Sequence, residues 1–76
     1  MDKAARAQHL LTDEFFTGVV NTQRESYIYN ILNSQPEQVD VREAAYIKIR
    51  ALDEFVATLE SLAQQPEIDK KRWKIF

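Results

Sequence analysis

The spacing of apolar residues in the C-terminal half of the chain constrains its fold most strongly. Between Ala45 and Ala63 these residues recur at intervals of 4, 3, 4, 3 and 4. Positions three and four apart share one side of an α-helix, so this spacing is typical of an a/d seam. The seam consists of Ala45, Ile49, Leu52, Val56, Leu59 and Ala63, and it is widened by Phe55 and Leu62. The pattern predicts a long amphipathic helix that packs one side against another helix and ends before Pro66.

A second pattern of helical period precedes this one, within the stretch "EFFTGVVNTQRESYIYNILN". Its apolar side contains Phe16, Val20, Tyr27 and Ile31, joined by Phe15, Val19, Ile28 and Leu32. Pro36 then interrupts the helical pattern, because proline disfavours helix at the preceding residue and lacks a backbone donor. Beyond it, Asp40 and Glu43 resemble a capping box, which predicts that the long helix begins with Asp40 as its N-cap.

The N-terminal stretch "DKAARAQHLL" is rich in helix formers and predicts a short helix capped by Asp2. Thr12 or Asp13 suits the N-cap of the helix that follows. One glycine and two prolines are too few for a protein built of strands and turns. We therefore predict an all-α fold: an antiparallel helical hairpin with a short N-terminal helix and a C-terminal tail. The helical domain would comprise residues 1–69 and the tail residues 70–76.

The length of the chain limits what its own core can contribute. A single domain of 76 residues supplies roughly 3–5 kcal/mol from its core. The chain contains no cysteine and one histidine, His9, so disulfides and thiolate metal sites are excluded as additional stabilisation. Tyr27 and Tyr29 lie about 200° apart around a helix, which makes this helix apolar on more than one side. The surplus apolar surface should meet the N-terminal helix, the tail or another chain.

Sequence motifs of catalysis are missing. The chain has no Gly-rich phosphate loop, no HExxH and no G-x-S-x-G motif. Its glutamates lack the Glu-x-x-His elements of di-metal helical bundles. We expect a protein that is not an enzyme and needs no cofactor.

The segment "KKRWKIF" at residues 70–76 carries the strongest charge asymmetry. Residues 1–69 hold six cations and twelve anions (net −6), whereas the tail holds four cations (net +4). Three interpretations are open. The tail could close the helical fold, bind nucleic acid through Lys70, Lys71, Arg72, Trp73 and Lys74, or dock on a protein.

We favour the docking interpretation, because an acidic body repels phosphate beyond the short range of the tail. Its anchor residues would be Arg72, Trp73, Ile75 and Phe76, with Tyr27, Tyr29 and Tyr46 as further contact candidates. The partner would be another protein or a second copy of the chain. A small nucleic-acid-binding regulator is the alternative.

The segments "RAQHLLTDEFF", "REAAYIKIRALDEFVATLESLA" and "KRWKIF" resemble a class of small helical proteins encoded among the structural genes of tailed bacteriophages. The resemblance extends from Arg6 to Phe76 and rests on patterns of helix-forming residues. It implies a virion structural or head-assembly role, with phage capsid or portal proteins as partners, and it carries over no catalytic residue. The first ten residues lack the apolar core of a secretory signal, and no run is long enough for a membrane span. We therefore expect the protein in the bacterial cytoplasm or the virion, without membrane contact.

Overall fold

The computed structural model describes residues 2–64, and within them the fold is all-α. Helix α1 comprises Lys3–Thr12, α2 comprises Glu14–Leu32 and α3 comprises Val39–Gln64. The all-α part of the predicted fold class is therefore confirmed. The tail at residues 70–76, with Lys70, Lys71, Arg72, Trp73, Lys74, Ile75 and Phe76, lies outside the described residues.

Two aspartates divide the N-terminal half into α1 and α2. The Oδ1 atom of Asp2 accepts a hydrogen bond from the Ala5 backbone N–H at 2.8 Å, and Oδ1 of Asp13 accepts one from Phe16 at 3.0 Å. Each bond satisfies one of the backbone donors left unpaired in the first turn of a helix. Asp13 has an extended backbone conformation, with ψ at 116°, and so separates the two helices. The predicted cap at Asp2 is confirmed, and of the two candidates Thr12 and Asp13, Asp13 is the N-cap of α2.

The predicted start of α3 is wrong. The helix begins at Val39, so Asp40 lies inside its first turn and does not act as the N-cap. The Gln38 carbonyl already accepts a hydrogen bond from the Arg42 backbone N–H at 3.3 Å, and the Gln38 side chain accepts one from the Gln35 N–H at 2.7 Å. This turn starts the helix earlier than the Asp40–Glu43 pattern predicts. Asp40 still places its negative charge near the positive end of the helix dipole.

Helix α3 is the element on which the other two pack. Both α1 and α2 contact it extensively, whereas they contact each other much less. The predicted seam from Ala45 to Ala63 is the least exposed side of α3, but of its members only Ala45 is buried and the others are half-buried. On α2 the half-buried side contains Phe16, Val20, Arg24, Tyr27, Ile28 and Ile31.

The helices form a single layer. The principal extents of the Cα atoms are 53 × 31 × 11 Å. Packed helices lie about 8–10 Å apart, and the Cα cylinder of one helix is about 4.6 Å across, so two stacked layers would need about 13–15 Å. The shortest extent is below that value. A single layer cannot enclose a core, and within residues 2–64 the buried residues are Ala4, Ala7 and Ala45, which are 3–6% exposed.

Candidate interaction surface

The three predicted tyrosines lie in different surroundings. Tyr27 is half-buried on the side of α2 that contacts α3, and the Lys48 ammonium lies 5.8 Å from the centre of its ring, within the range of a cation–π contact. Tyr29 is 64% exposed and lies about 200° around α2 from Tyr27. Tyr46 is 58% exposed on α3. Tyr29 and Tyr46 are thus accessible to a partner, whereas Tyr27 belongs to the contact between α2 and α3.

Apolar side chains remain exposed on all three helices. The large hydrophobic residues with exposed fractions from 39% to 81% are Leu10, Phe15, Val19, Tyr29, Leu32, Val39, Val41, Tyr46, Ile47 and Phe55. Single exposed hydrophobic residues are normal on soluble proteins. Within residues 2–64, ten large hydrophobic residues are exposed, while the buried residues are three alanines. An ordinary globular domain buries its large hydrophobic residues instead. The exposed residues define a surface suited to contact with another molecule.

Five exposed positions of α2 follow a regular spacing. They are Phe15, Val19, Thr22, Ser26 and Tyr29, at intervals of 4, 3, 4 and 3, and we name them the outer stripe. At 100° per residue these positions fall within about 80° of one another, and their centre lies about 150° from the centre of the half-buried side. The outer stripe therefore faces away from α3.

Sequence reasoning missed the outer stripe as a separate surface. Phe15, Val19 and Leu32 were predicted to join the apolar side that contains Phe16, yet all three are exposed, Phe15 to 81%. The stripe has the same 4–3 spacing as the seam of α3. A count of the intervals between apolar residues does not reveal it, because two of its five positions, Thr22 and Ser26, are polar.

Polar contacts tie the helices together beside these apolar surfaces. Arg24 donates from Nε to Asp53 Oδ1 at 3.0 Å and from Nη2 to Oδ2 at 3.3 Å, which joins α2 to α3 by a two-point ion pair. The hydrogen bond from Arg24 lowers the pKa of Asp53, and the positive charges of Arg24 and Arg50 act in the same direction. The same pairing raises the pKa of Arg24.

Arg42 joins the start of α3 to the connection that follows α2. Its guanidinium donates to Ser34 Oγ at 3.0 Å, to the Gln35 carbonyl at 2.8 Å and to the Pro36 carbonyl at 3.0 Å. At the other end of α3, the Gln8 side chain donates to the Ala63 carbonyl at 2.8 Å. That carbonyl lies in the last turn of α3, where backbone acceptors lack partners within the helix.

The described residues carry ten Asp and Glu and six Lys and Arg side chains. Three of the six cations are engaged in the contacts above, namely Arg24, Arg42 and Lys48. Within residues 2–64, no three His, Cys, Asp or Glu side chains form a cluster that could hold a metal ion. In the same range, no helix combines the length and apolar character needed to cross a membrane.

A comparison with protein-family models gave no match, and comparisons with curated proteins and with solved structures gave no significant match either.

Proposed function

We propose that this chain is a non-enzymatic helical interaction protein that docks on a larger protein assembly. The observation that supports the proposal is the apolar surface of its single helical layer. The ten large hydrophobic side chains exposed there need a covering that the described helices do not supply. Such a chain gains stability when another protein covers this surface.

The arrangement of α2 and α3 within the proposal is an antiparallel hairpin. Two contacts support it. The first is the contact of Arg42, near the start of α3, with the connection at Ser34–Pro36. The second is the pair of Arg24 and Asp53, which joins positions that lie further from the connection along both helices. Short connections between helices favour this arrangement.

The assembly that we propose is a bacteriophage virion or its head-assembly intermediate, with capsid or portal proteins as partners. This part of the proposal rests on the resemblance of the three sequence segments quoted above. The docking anchor would be Arg72, Trp73, Ile75 and Phe76, aided by the exposed Tyr29 and Tyr46. Burial of one Trp and one Phe removes about 150–250 Å² each from water, or roughly 8–12 kcal/mol gross for the pair before ordering costs. Exposed cations contribute about 0–1 kcal/mol each.

The experiment compares two tail variants for co-purification with the products of the neighbouring genes. One variant combines Trp73→Ala with Phe76→Ala, and the other changes Lys70, Lys71 and Lys74 to Gln. We expect the first to lose the partner and the second to retain it. The opposite result would show that charge, and not apolar burial, drives the interaction.

A second measurement tests the alternative, a nucleic-acid-binding regulator that uses Lys70, Lys71, Arg72, Trp73 and Lys74. Binding of the whole protein to a labelled DNA duplex is followed by fluorescence anisotropy at about 50 and about 200 mM salt. Four phosphate contacts would weaken binding about a hundredfold over this range. Saturable binding with that salt dependence would favour the regulator, and we expect none.

A further inference from the structure

We infer that the outer stripe of α2 is the contact surface for a second copy of this chain, paired through two antiparallel α2 helices. This inference rests on the proposed interaction function and names one partner for it. The stripe has the a/d spacing with which two helices interdigitate, and it faces away from α3, so a second α2 could pack there without disturbing the existing contacts.

The order of residues in the stripe is self-complementary. In an antiparallel pair with Thr22 at the two-fold axis, Phe15 of one copy meets Tyr29 of the second copy, and the same contact recurs at the other end. Thr22 occupies the centre, where two backbones approach most closely, with Val19 and Ser26 on either side of it. A two-fold interface requires such a surface. If residue i of one copy contacts residue j of the second copy, then residue j of the first copy must contact residue i of the second.

The charges beside the stripe permit this register. With Thr22 on the axis, Glu25 of one copy comes level with Val19 of the second copy, and Gln23 comes level with Asn21, so no two like charges of α2 face each other at one level. The two copies of Glu25 lie on either side of the two-fold axis, about 9 Å apart along the helices. In a parallel pair they would lie at the same level, and their like charges would oppose association more strongly.

The area of the stripe predicts a dimer of modest affinity. Phe15 and Tyr29 are 81% and 64% exposed. With about 200 Å² for a whole aromatic side chain, these two residues in both copies would remove about 600 Å² from water. Val19, Thr22, Ser26 and the flanking side chains bring the interface toward the lower end of stable complexes, about 1,200 Å² in total. We therefore expect a dimer that dissociates in the micromolar range.

The test uses two complementary charge variants of the whole protein, Phe15→Lys and Tyr29→Glu, followed by sedimentation velocity over a range of concentrations. Each variant alone should dimerise about ten- to a hundredfold more weakly than the parent, because both aromatic contacts of its homodimer are lost. Mixed in equal amounts they should form a heterodimer, in which the introduced lysine faces the introduced glutamate at one end and Tyr29 faces Phe15 at the other. Ala51→Lys, which introduces the same charge at an exposed position of α3 outside the interaction surface, is the control and should dimerise like the parent.

A cross-link tests the two-fold position independently. The chain has no cysteine, so Thr22→Cys introduces one thiol, which air and a copper catalyst oxidise to a disulfide between copies. We expect covalent dimer from Thr22→Cys and much less from Thr58→Cys, which changes an exposed threonine of α3. Circular dichroism verifies that each variant keeps its helices.

Three outcomes would overturn the inference: a parent that is monomeric at all concentrations, homodimers of both charge variants as strong as the parent, or charge variants that remain monomeric when mixed. Normal co-purification with another protein alongside a monomeric parent would overturn self-pairing alone. A parent that is monomeric and also fails to co-purify with another protein would overturn the proposed function as well.

Discussion

At the residue scale, Gly18 lies within α2, where it gains nothing from lacking a side chain. A Cβ atom built at this position meets nothing within 4 Å, and its backbone does not adopt positive φ. Glycine within a helix is less favourable than alanine by about 0.5–1 kcal/mol, because its unfolded backbone is freer. We predict that Gly18→Ala stabilises the protein by that amount in urea denaturation. Ala57→Gly, at an exposed position of α3, is the reverse control and should destabilise by a similar amount. An unstable Gly18→Ala protein would indicate a close contact at this site with another molecule.

Arg42 is the residue whose role the sequence conceals most completely. Within "DVRE" it is one of several charged residues near the start of a helix, yet its guanidinium holds three consecutive residues of the connection. We predict that Arg42→Ala destabilises the protein by about 1–2 kcal/mol, since hydrogen bonds from charged donors are the stronger ones. Arg42→Lys should recover little of this loss, because an ammonium cannot replace the planar donors of a guanidinium. Arg6→Ala, which changes an exposed arginine of α1, serves as the control in the same urea titrations. Equal stability of the Arg42 and Arg6 variants would contradict the prediction.

At the element scale, the ion pair between Arg24 and Asp53 makes the contact of α2 with α3 dependent on pH. The pKa of Asp53 is lower in the folded protein than in the unfolded chain, so the folded state favours the charged carboxylate. Its stabilising contribution is therefore present above the unfolded pKa of about 3.9 and is lost as the pH falls through the folded pKa. The effect is small, because the two side chains are 43% and 47% exposed and solvent screens the pair.

We predict that Asp53→Asn lowers the melting temperature slightly at about pH 7 and that the difference from the parent shrinks progressively as the pH falls below the unfolded pKa of about 3.9. It should also shrink in about 0.5 M salt, because salt screens exposed charges. Glu54→Gln, which changes a neighbouring carboxylate on α3, is the matched control. A difference that persists in acid would show that Asp53 contributes through packing or hydrogen bonding, and not through its charge.

The helices themselves are the part of the fold that the sequence predicts well. Interval counts identify the seam of α3, and the aspartate caps mark the boundaries around α1 and α2, because these signals are local. The start of α3 was predicted wrongly because the turn at Gln35–Gln38 involves a glutamine side chain that has no strong capping signature. The sequence also could not predict that the seam is only half-buried. A periodic pattern shows which side of a helix is apolar, but not how many neighbours cover that side.

The candidate interaction surface was predictable only in part, for the same reason. The amino-acid sequence shows apolar residues on more than one side of the helix around Tyr27 and Tyr29, and this indicates surplus apolar surface. Which tyrosine faces the protein and which faces outward depends on the position of α3, and this is a tertiary property. Phe15, the most exposed large hydrophobic residue of the outer stripe, was predicted to join the same apolar side as Phe16, yet it is 81% exposed.

At the scale of the whole molecule, the single layer that the helices within residues 2–64 form should be marginally stable alone, since hydrophobic burial is the main favourable term in folding. We predict that its melting temperature rises with protein concentration. For a dimer, each tenfold increase in concentration adds about 1.4 kcal/mol per dimer. When this free energy is divided between two chains of this size, it corresponds to a rise in melting temperature of about 3–5 °C.

Differential scanning calorimetry between about 10 and about 1,000 µM covers two such steps, so the expected rise is about 6–10 °C. The Phe15→Lys variant should melt at the lower temperature of the dilute parent, with little dependence on its own concentration. The Ala51→Lys variant should follow the parent. If the parent melts at one temperature throughout while its mass stays at the 8.9 kDa of one chain, the apolar surface is not covered by a second copy. Docking on a different protein would then be the function of the whole exposed surface, with the outer stripe as its first candidate contact.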